Sequence, residues 1–151
     1  MIKTMGGFLT SQNKHLGDRI FEKMLRDSGI DAFSGAQGRI VYVLWEKGEL
    51  SISEICKQTS LANSTMTTML DQMEKSGLIV RKRSKENRRQ IIVSLTEKAK
   101  IYKKEYDDIS DRMSEITYRG FTEKEIKLYE EMLLRIKNNL EEFIEQENVR
   151  K

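Results

Sequence analysis

The chain has 151 residues, of which 38% are hydrophobic and 34% charged, and its formal net charge is +3. This length suits one ordinary domain, and the composition is typical of a globular chain rather than a disordered one. The longest apolar run, IVYVLW at 40–45, is too short to span a bilayer, and the first residues lack a signal-peptide core. The one cysteine, Cys56, cannot form an internal disulfide. We therefore expect a cytoplasmic protein with no membrane partner.

The first third of the chain predicts two helices. Ser34 and Gln37 have the spacing of a helix cap, and Gly48 marks the end of the helix that they begin. Before it, the stretch DSGI interrupts an earlier helical pattern whose apolar members are Phe8, Leu9, Leu16, Ile20, Phe21, Met24 and Leu25.

The next stretch predicts a helix-turn-helix. Ser51 and Glu54 stand at capping-box spacing at the start of SISEICKQTS, which predicts a short helix. After TSLAN, the segment STMTTMLDQMEKSG has apolar residues at i, i+3, i+4 and i+7 and a stop at Gly77. Two short helices joined by a tight turn are typical of a unit whose second helix enters the major groove of DNA.

The polar face of the second helix carries the candidates for contact with DNA bases. Hydroxyl and amide groups suit this task because each can donate and accept hydrogen bonds. Capping of the helix is an alternative explanation for Asn63 or Ser64, whereas Thr68 and Gln72 lie too far inside for that. The predicted base-contact residues are Asn63, Ser64, Thr65, Thr67, Thr68 and Gln72.

A cationic hairpin is predicted next. Residues 78–90, LIVRKRSKENRRQ, hold six lysines and arginines against Glu86, so the segment carries +5 and the rest of the chain −2. The flanking segments GLIVRKR and QIIVSL are of β type, which places the charges at and near a two-stranded tip. Such a patch suits a polyanion, although a solvated loop that keeps the protein soluble is the alternative.

Two long amphipathic helices are predicted after the hairpin. The first starts at Thr96, and the second follows Gly120 with Thr122 and Glu125 at capping-box spacing. The preceding elements, a helix, a helix-turn-helix and a charged hairpin, have the order of a winged helix. Because such a small core cannot cover all these apolar stripes, we expect the terminal helices to form a homodimer; a bundle within a monomer is the alternative. The stripes are Ala99, Tyr102, Tyr106, Ile109, Met113 and Ile116, then Ile126, Tyr129, Leu133, Ile136, Leu140 and Phe143.

The predicted fold class is therefore mainly α with a small β-hairpin wing, arranged as a winged helix-turn-helix core between terminal dimerisation helices. We expect one structural domain with an N-terminal helix at 1–33, a DNA-binding core at 34–95 and C-terminal helices at 96–151. A two-fold dimer places two recognition helices in successive major grooves about 34 Å apart, which predicts an operator with an inverted repeat.

Residues 34–100 resemble the multiple-antibiotic-resistance repressor (MarR) family of bacterial transcription regulators. The resemblance is carried by AQGRIVYVLWEKGELSISEICKQTSLANSTMTTML and above all by LDQMEKSGLIVRKR running into NRRQIIVSLTEKAK. It implies a sequence-specific regulator of double-stranded DNA, expected to be a repressor, that a small aromatic or phenolic effector releases. The competing class is a winged-helix module that docks an acidic protein or RNA without operator specificity.

The resemblance also assigns roles within the wing. Arg89, with Arg88 as the alternative, is expected to enter the minor groove of A·T-rich DNA. Asn87 stands where the family usually has an aspartate, so the ion pair with Arg89 is lost, and Arg89 is expected either to be oriented by Glu86 or to be held more loosely. Thr68 replaces a basic residue that the family often has, which leaves more of the affinity to the wing. The expected phosphate contacts are Arg81, Lys82, Arg83 and Lys85.

Nothing in the sequence predicts catalysis, a cofactor or a metal site. The chain has one His and one Cys, with no zinc-finger spacing, phosphate-cradling glycine loop or nucleophile elbow. Tyr42 and Trp45, with His15 from the first helix, are candidates for an effector pocket. Core packing is the alternative for the two aromatics, and a surface or interface position for His15. Cys56 lies on an apolar helix face, where packing competes with a redox role.

Overall fold

Helices make up most of residues 2–151, the part of the chain that the computed structural model describes. They confirm the prediction of a mainly α fold with a small β wing, and none of them is long and apolar enough to cross a membrane within those residues. The chain divides into two compact units, one up to Met113 and one from Ser114. The elements are α1 (Gly6–Asp27), α2 (Gly35–Lys47), β1 (Leu50–Ser51), α3 (Ile52–Thr59), α4 (Asn63–Lys75), β2 (Ile79–Arg83), β3 (Ile91–Leu95), α5 (Glu97–Lys100), α6 (Lys103–Thr117) and α7 (Glu123–Val149).

Three helices begin at the capping boxes that the sequence predicts. At α2 and α3, Ser34 Oγ accepts from the Gln37 amide at 3.2 Å and Ser51 Oγ from the Glu54 amide at 3.1 Å. Thr122 caps α7 in the same way. Each cap satisfies amides that the first helical turn leaves without a partner, so these starts depend on local sequence alone.

The start of α4 corrects the expectation that Asn63 or Ser64 caps it. The N-cap residue is Ala62, and no side chain among the described residues 2–151 caps the helix there. The helix begins one residue earlier than a capping Asn63 would require, so Asn63 already lies in the first turn. Its Oδ1 accepts instead from Cys56 Sγ at 3.2 Å, which joins α3 to the start of α4.

The sheet has three strands rather than the predicted two. Its order is β1-β3-β2, and both pairings are antiparallel. Leu50 and Ser51 pair with Val93 and Ile92. A two-residue strand is too short to show any periodicity, and β1 exists only because β3 offers it backbone partners.

The core lies where α2, α3 and α4 meet the sheet and the start of α6. Met66, Leu70 and Met73 are fully buried from α4, and Ile55 from α3. Aromatic rings extend this core: Tyr106 lies 5.2 Å from Trp45 and 5.4 Å from Phe21 between ring centroids. Gly38 makes this packing possible, since a Cβ there would stand 2.9 Å from Tyr106 Cε2.

The helix predicted to run from Thr96 is interrupted. The chain turns at residues 101 and 102, so α5 has four residues and α6 starts at Lys103. No glycine or proline marks the break. Thr96 Oγ1 donates to the carbonyl of Gly77 at 2.6 Å, and Ala99 is buried, so contacts distant in sequence hold α5 in place.

Apolar side chains remain uncovered on both terminal helices. On α1, Phe8 is 62% exposed and Leu16 54%. On α7, no residue is buried, and Leu140 and Phe143 are 61% and 64% exposed. An amphipathic helix normally buries its apolar stripe, so exposed stripes of this kind are typical of a surface that packs against another protein chain.

Candidate nucleic-acid interface

The outer face of α4 presents all six of the predicted base-contact residues to solvent. The three buried residues Met66, Leu70 and Met73 hold the opposite face in the core, so the polar face must point outward. The exposed set is Asn63, Ser64, Thr65, Thr67, Thr68 and Gln72.

Two threonines on this face direct their hydroxyl hydrogens back to the helix. Thr67 Oγ1 donates to the carbonyl of Asn63 at 2.9 Å, and Thr68 Oγ1 donates to that of Ser64 at 3.2 Å. This bond to residue i−4 leaves the oxygen lone pairs facing outward. In this arrangement the hydroxyls offer acceptors, which match the amino groups of cytosine and adenine.

Gln72 is held from a neighbouring helix. Its Oε1 accepts from Gln37 Nε2 of α2 at 3.3 Å. The sequence patterns assign Gln37 only to a helix cap, and nothing local signals that it reaches α4.

The wing consists of β2, the loop at 84–90 and β3, and its loop is closed by hydrogen bonds. The Ser84 amide donates to the carbonyl of Gln90 at 2.9 Å, and the Asn87 amide donates to Ser84 Oγ at 3.2 Å. Arg83 Nη1 donates to the carbonyl of Arg88 at 2.9 Å. The cationic tip is therefore a turn with a defined, hydrogen-bonded backbone conformation.

Asn87 orders this turn through the backbone. Its Oδ1 accepts from the amide of Arg89 at 3.1 Å, which is the local bond that Asn and Asp make in turns. Asn87 thus has a structural role in place of the ion pair that an aspartate would make with the Arg89 side chain. It fixes the backbone conformation of the residue from which that side chain projects. Within residues 2–151, Glu86 makes no ion pair with Arg89.

Arg81 differs from the other cations predicted in the wing. Its side chain is 23% exposed, and it donates to Asp71 at 2.7 Å and to Glu74 at 3.1 and 3.2 Å. The hydrogen bond and the charge of Arg81 lower the pKa of the Glu74 carboxyl. Its charge is therefore already balanced by two carboxylates of α4. This arrangement disagrees with the expectation that Arg81 is free for phosphate, and it ties β2 to the end of α4.

The other five cations of the wing are exposed, and within the described part of the chain none is paired with a carboxylate. They are Lys82, Arg83, Lys85, Arg88 and Arg89. Concentrated at one hairpin beside the polar face of α4, they form a positive surface suited to a polyanion.

The three residues predicted for an effector pocket do not come together. Tyr42 lines an open cavity of about 930 Å³ between α2 and the turn that joins α3 to α4. Trp45 packs against Phe33 and Tyr106 in the core, and its buried Nε1 has no partner within residues 2–151. His15 is exposed on α1 and does not line the cavity. The prediction of a joint pocket is therefore wrong for Trp45 and His15, because Trp45 faces the core side of α2.

The same cavity has charged residues that the sequence patterns do not single out. Lys14 and Arg39 line it together with Tyr42, and Thr65 and Met69 of α4 reach it from the other side. A molecule bound there would contact α4 directly.

Cys56 is half-buried between α3 and α4. Burial raises the pKa of its thiol, which disfavours the reactive thiolate. Packing is therefore the better supported of its two interpretations.

Comparison with known proteins gives the same fold. The model of the MarR family matches residues 33–91. The organic hydroperoxide resistance transcriptional regulator of Bacillus subtilis is 42% identical over 67 residues, which are 44% of this chain and 46% of that protein. The aligned parts span between 40% and 65% of the first curated relatives. These relatives are described as transcriptional regulators.

Solved structures extend the likeness over nearly the whole chain. BpsR of Bordetella bronchiseptica, whose DNA binding is regulated by 6-hydroxynicotinic acid, has a TM-score of 0.77 at 19% identity and covers 89% of this chain and 99% of its own. A mutant MarR from E. coli complexed with operator DNA has a TM-score of 0.76 at 20% identity, with 86% and 91% covered. At these identities the structures show a shared fold.

Proposed function

Because the chain belongs to the MarR family through its winged helix, we propose that it regulates transcription as a repressor that binds a palindromic operator. The observation that carries the proposal is the exposed polar face of α4 together with five wing cations that no carboxylate within residues 2–151 pairs. Hydroxyls and amides read base edges, whereas clustered cations bind phosphate and release counterions.

Each part of the interface has its own role in this proposal. Arg89, projected by the Asn87 turn, enters the minor groove with Arg88 beside it. Lys82, Arg83 and Lys85 contact phosphates. Arg81 acts inside the protein: its two carboxylate partners fix the angle between the wing and α4.

We propose that the protein acts as a homodimer in the cytoplasm. The support is the apolar surface that α1 and α7 each leave uncovered, with Phe8, Leu140 and Phe143 all more than 60% exposed. A two-fold dimer explains why the operator would be an inverted repeat. Sedimentation at micromolar concentration is expected to give twice the chain mass, and a monomer would reject both the dimer and the palindrome.

The open cavity beside α4 supports an effector. Tyr42 offers an aromatic wall, and Lys14 and Arg39 offer positive charge, which together suit a small aromatic or phenolic acid. A molecule that binds one conformation of α4 better than another would shift DNA binding. We expect stabilisation by at least one member of an aromatic-acid panel in a thermal-shift assay, and loss of that stabilisation in Arg39→Gln.

Selection of bound fragments from random DNA tests the central proposal. A regulator is expected to enrich one inverted repeat, to prefer it over bulk DNA in competition, and to lose affinity steeply as salt rises. A module that docks an acidic protein or RNA would enrich no sequence, and that result would reject the operator.

A further inference from the structure

We propose that Gln37, a residue outside α4, sets which bases Gln72 accepts, by fixing the orientation of the Gln72 amide. The inference deepens the proposed function and depends on it, because it concerns how the operator is read. It assigns Gln37 a positioning role and predicts the chemical character of one base in the operator.

The orientation of Gln37 follows from a backbone group. Its Oε1 accepts from the amide of Ser34 at 3.2 Å, within the capping box of α2. A backbone N–H only donates, so the side-chain atom that faces it must be the oxygen. The Gln37 NH₂ group therefore points the other way, and its own backbone bond to Ser34 Oγ holds the residue at the start of the helix.

The orientation of Gln37 in turn fixes that of the Gln72 amide on α4. Gln37 Nε2 lies 3.3 Å from the amide of Gln72. Because an NH₂ group only donates, the Gln72 atom that meets it must be Oε1. The Gln72 NH₂ group is then turned away from α2. Gln72 is exposed, and within residues 2–151 no side chain accepts from either hydrogen of its NH₂ group.

The direction of these hydrogen bonds determines what Gln72 offers to DNA. A free glutamine can pair with adenine through one donor and one acceptor together. Here the acceptor is engaged and the donors face outward. Donors match the N7 and O6 acceptors of guanine, the N7 of adenine or the O4 of thymine, whereas cytosine presents only an amino donor in the major groove. We therefore expect Gln72 to favour guanine over cytosine at the base pair it contacts.

Gln37→Glu reverses the arrangement with little change in shape. A carboxylate at this position still accepts from the Ser34 amide, as in an ordinary capping box. Its second oxygen is an acceptor, so Gln72 must turn its NH₂ group inward and its oxygen outward. The preferred base should then be cytosine or adenine, which offer an amino hydrogen. Gln37→Ala removes the partner, and the preference should become weaker rather than reverse.

The experiment uses the operator recovered from random DNA by the full-length protein. Gln72→Ala first identifies the base pair whose preference disappears. Wild type and Gln37→Glu are then titrated against four duplexes that differ only at that pair. The added negative charge weakens binding to all four alike, so the ratio between duplexes is the readout, and circular dichroism confirms that each variant is folded.

The expected result is a guanine-over-cytosine ratio of roughly fivefold or more in wild type, as for a favourable base contact, that inverts in Gln37→Glu. An unchanged ratio in Gln37→Glu, a wild-type preference for cytosine, or no base pair sensitive to Gln72→Ala would overturn the inference while leaving operator binding intact. A wild type that selects no sequence rejects the proposed function itself.

Discussion

Removing two charges from the wing tip should reduce the salt dependence of DNA binding by a calculable amount. The variant is Lys85→Gln combined with Arg88→Gln. Both side chains are exposed and unpaired within residues 2–151, so the change removes cations that no carboxylate of the fold already neutralises. The hydrogen bond at the Arg88 position uses its carbonyl, which the substitution keeps.

The magnitude follows from counterion release. Each cation that neutralises a phosphate contributes about 0.9 to the steepness of log affinity against log salt, whether it contacts the phosphate directly, as Lys85 does, or lies in the minor groove between the strands, as Arg88 does. Two lost cations therefore reduce the steepness by about 1.8 per protomer and about 3.6 per dimer. Between 50 and 200 mM salt the wild-type dimer should therefore lose roughly 150-fold more affinity than the variant.

Fluorescence anisotropy with a labelled operator over this salt range measures both slopes. The matched control is Lys124→Gln with Lys127→Gln on α7, which removes the same charge from exposed positions outside the winged helix. The control should keep the wild-type slope. If the wing variant kept it as well, the tip would not contact phosphate and the reasoning from exposed charge would be refuted.

Three further substitutions test separate parts of the molecule. Arg89→Ala should weaken operator binding by about 1–3 kcal/mol in titrations at matched salt, and unchanged affinity would remove Arg89 from the interface. Arg81→Met removes the partner that stabilises the charged Glu74 carboxylate, so the lowered pKa of Glu74 should rise to its ordinary range in an NMR titration. In the wild type the ion pair stabilises the fold at pH above that ordinary range, and this stabilisation is lost as pH falls through the lowered pKa. An unchanged pKa of Glu74 would contradict the ion pair. Gly38→Ala forces a Cβ to 2.9 Å from the Tyr106 ring and should destabilise the fold by about 1–3 kcal/mol in urea, and equal stability would show that the ring can move.

The local features of the sequence predict local structure well. The capping boxes at Ser34, Ser51 and Thr122 were readable because each hydrogen bond spans three residues. The period of the apolar residues in α4 likewise separates a buried face from an exposed one, as Met66 and Thr68 show. Both kinds of signal depend only on the geometry of a helix.

Features that need a distant partner were missed. The pairing of β1 depends on β3, more than 40 residues later, and the break before α6 is held by the bond from Thr96 to Gly77. Arg81 looked like one more cation of the wing because its carboxylate partners lie seven and ten residues away on another element.

The amino-acid sequence by itself determined the order of the main helices and of the two wing strands, the polar outer face of α4 and the concentration of charge at the wing, since periodicity, capping and composition act over a few residues. Only the tertiary structure decided which cations are free, which aromatics line a cavity, and that Gln37 meets Gln72. Each of these contacts depends on how separate elements pack against one another. Because the residues that meet are far apart in sequence, no local pattern predicts the contact.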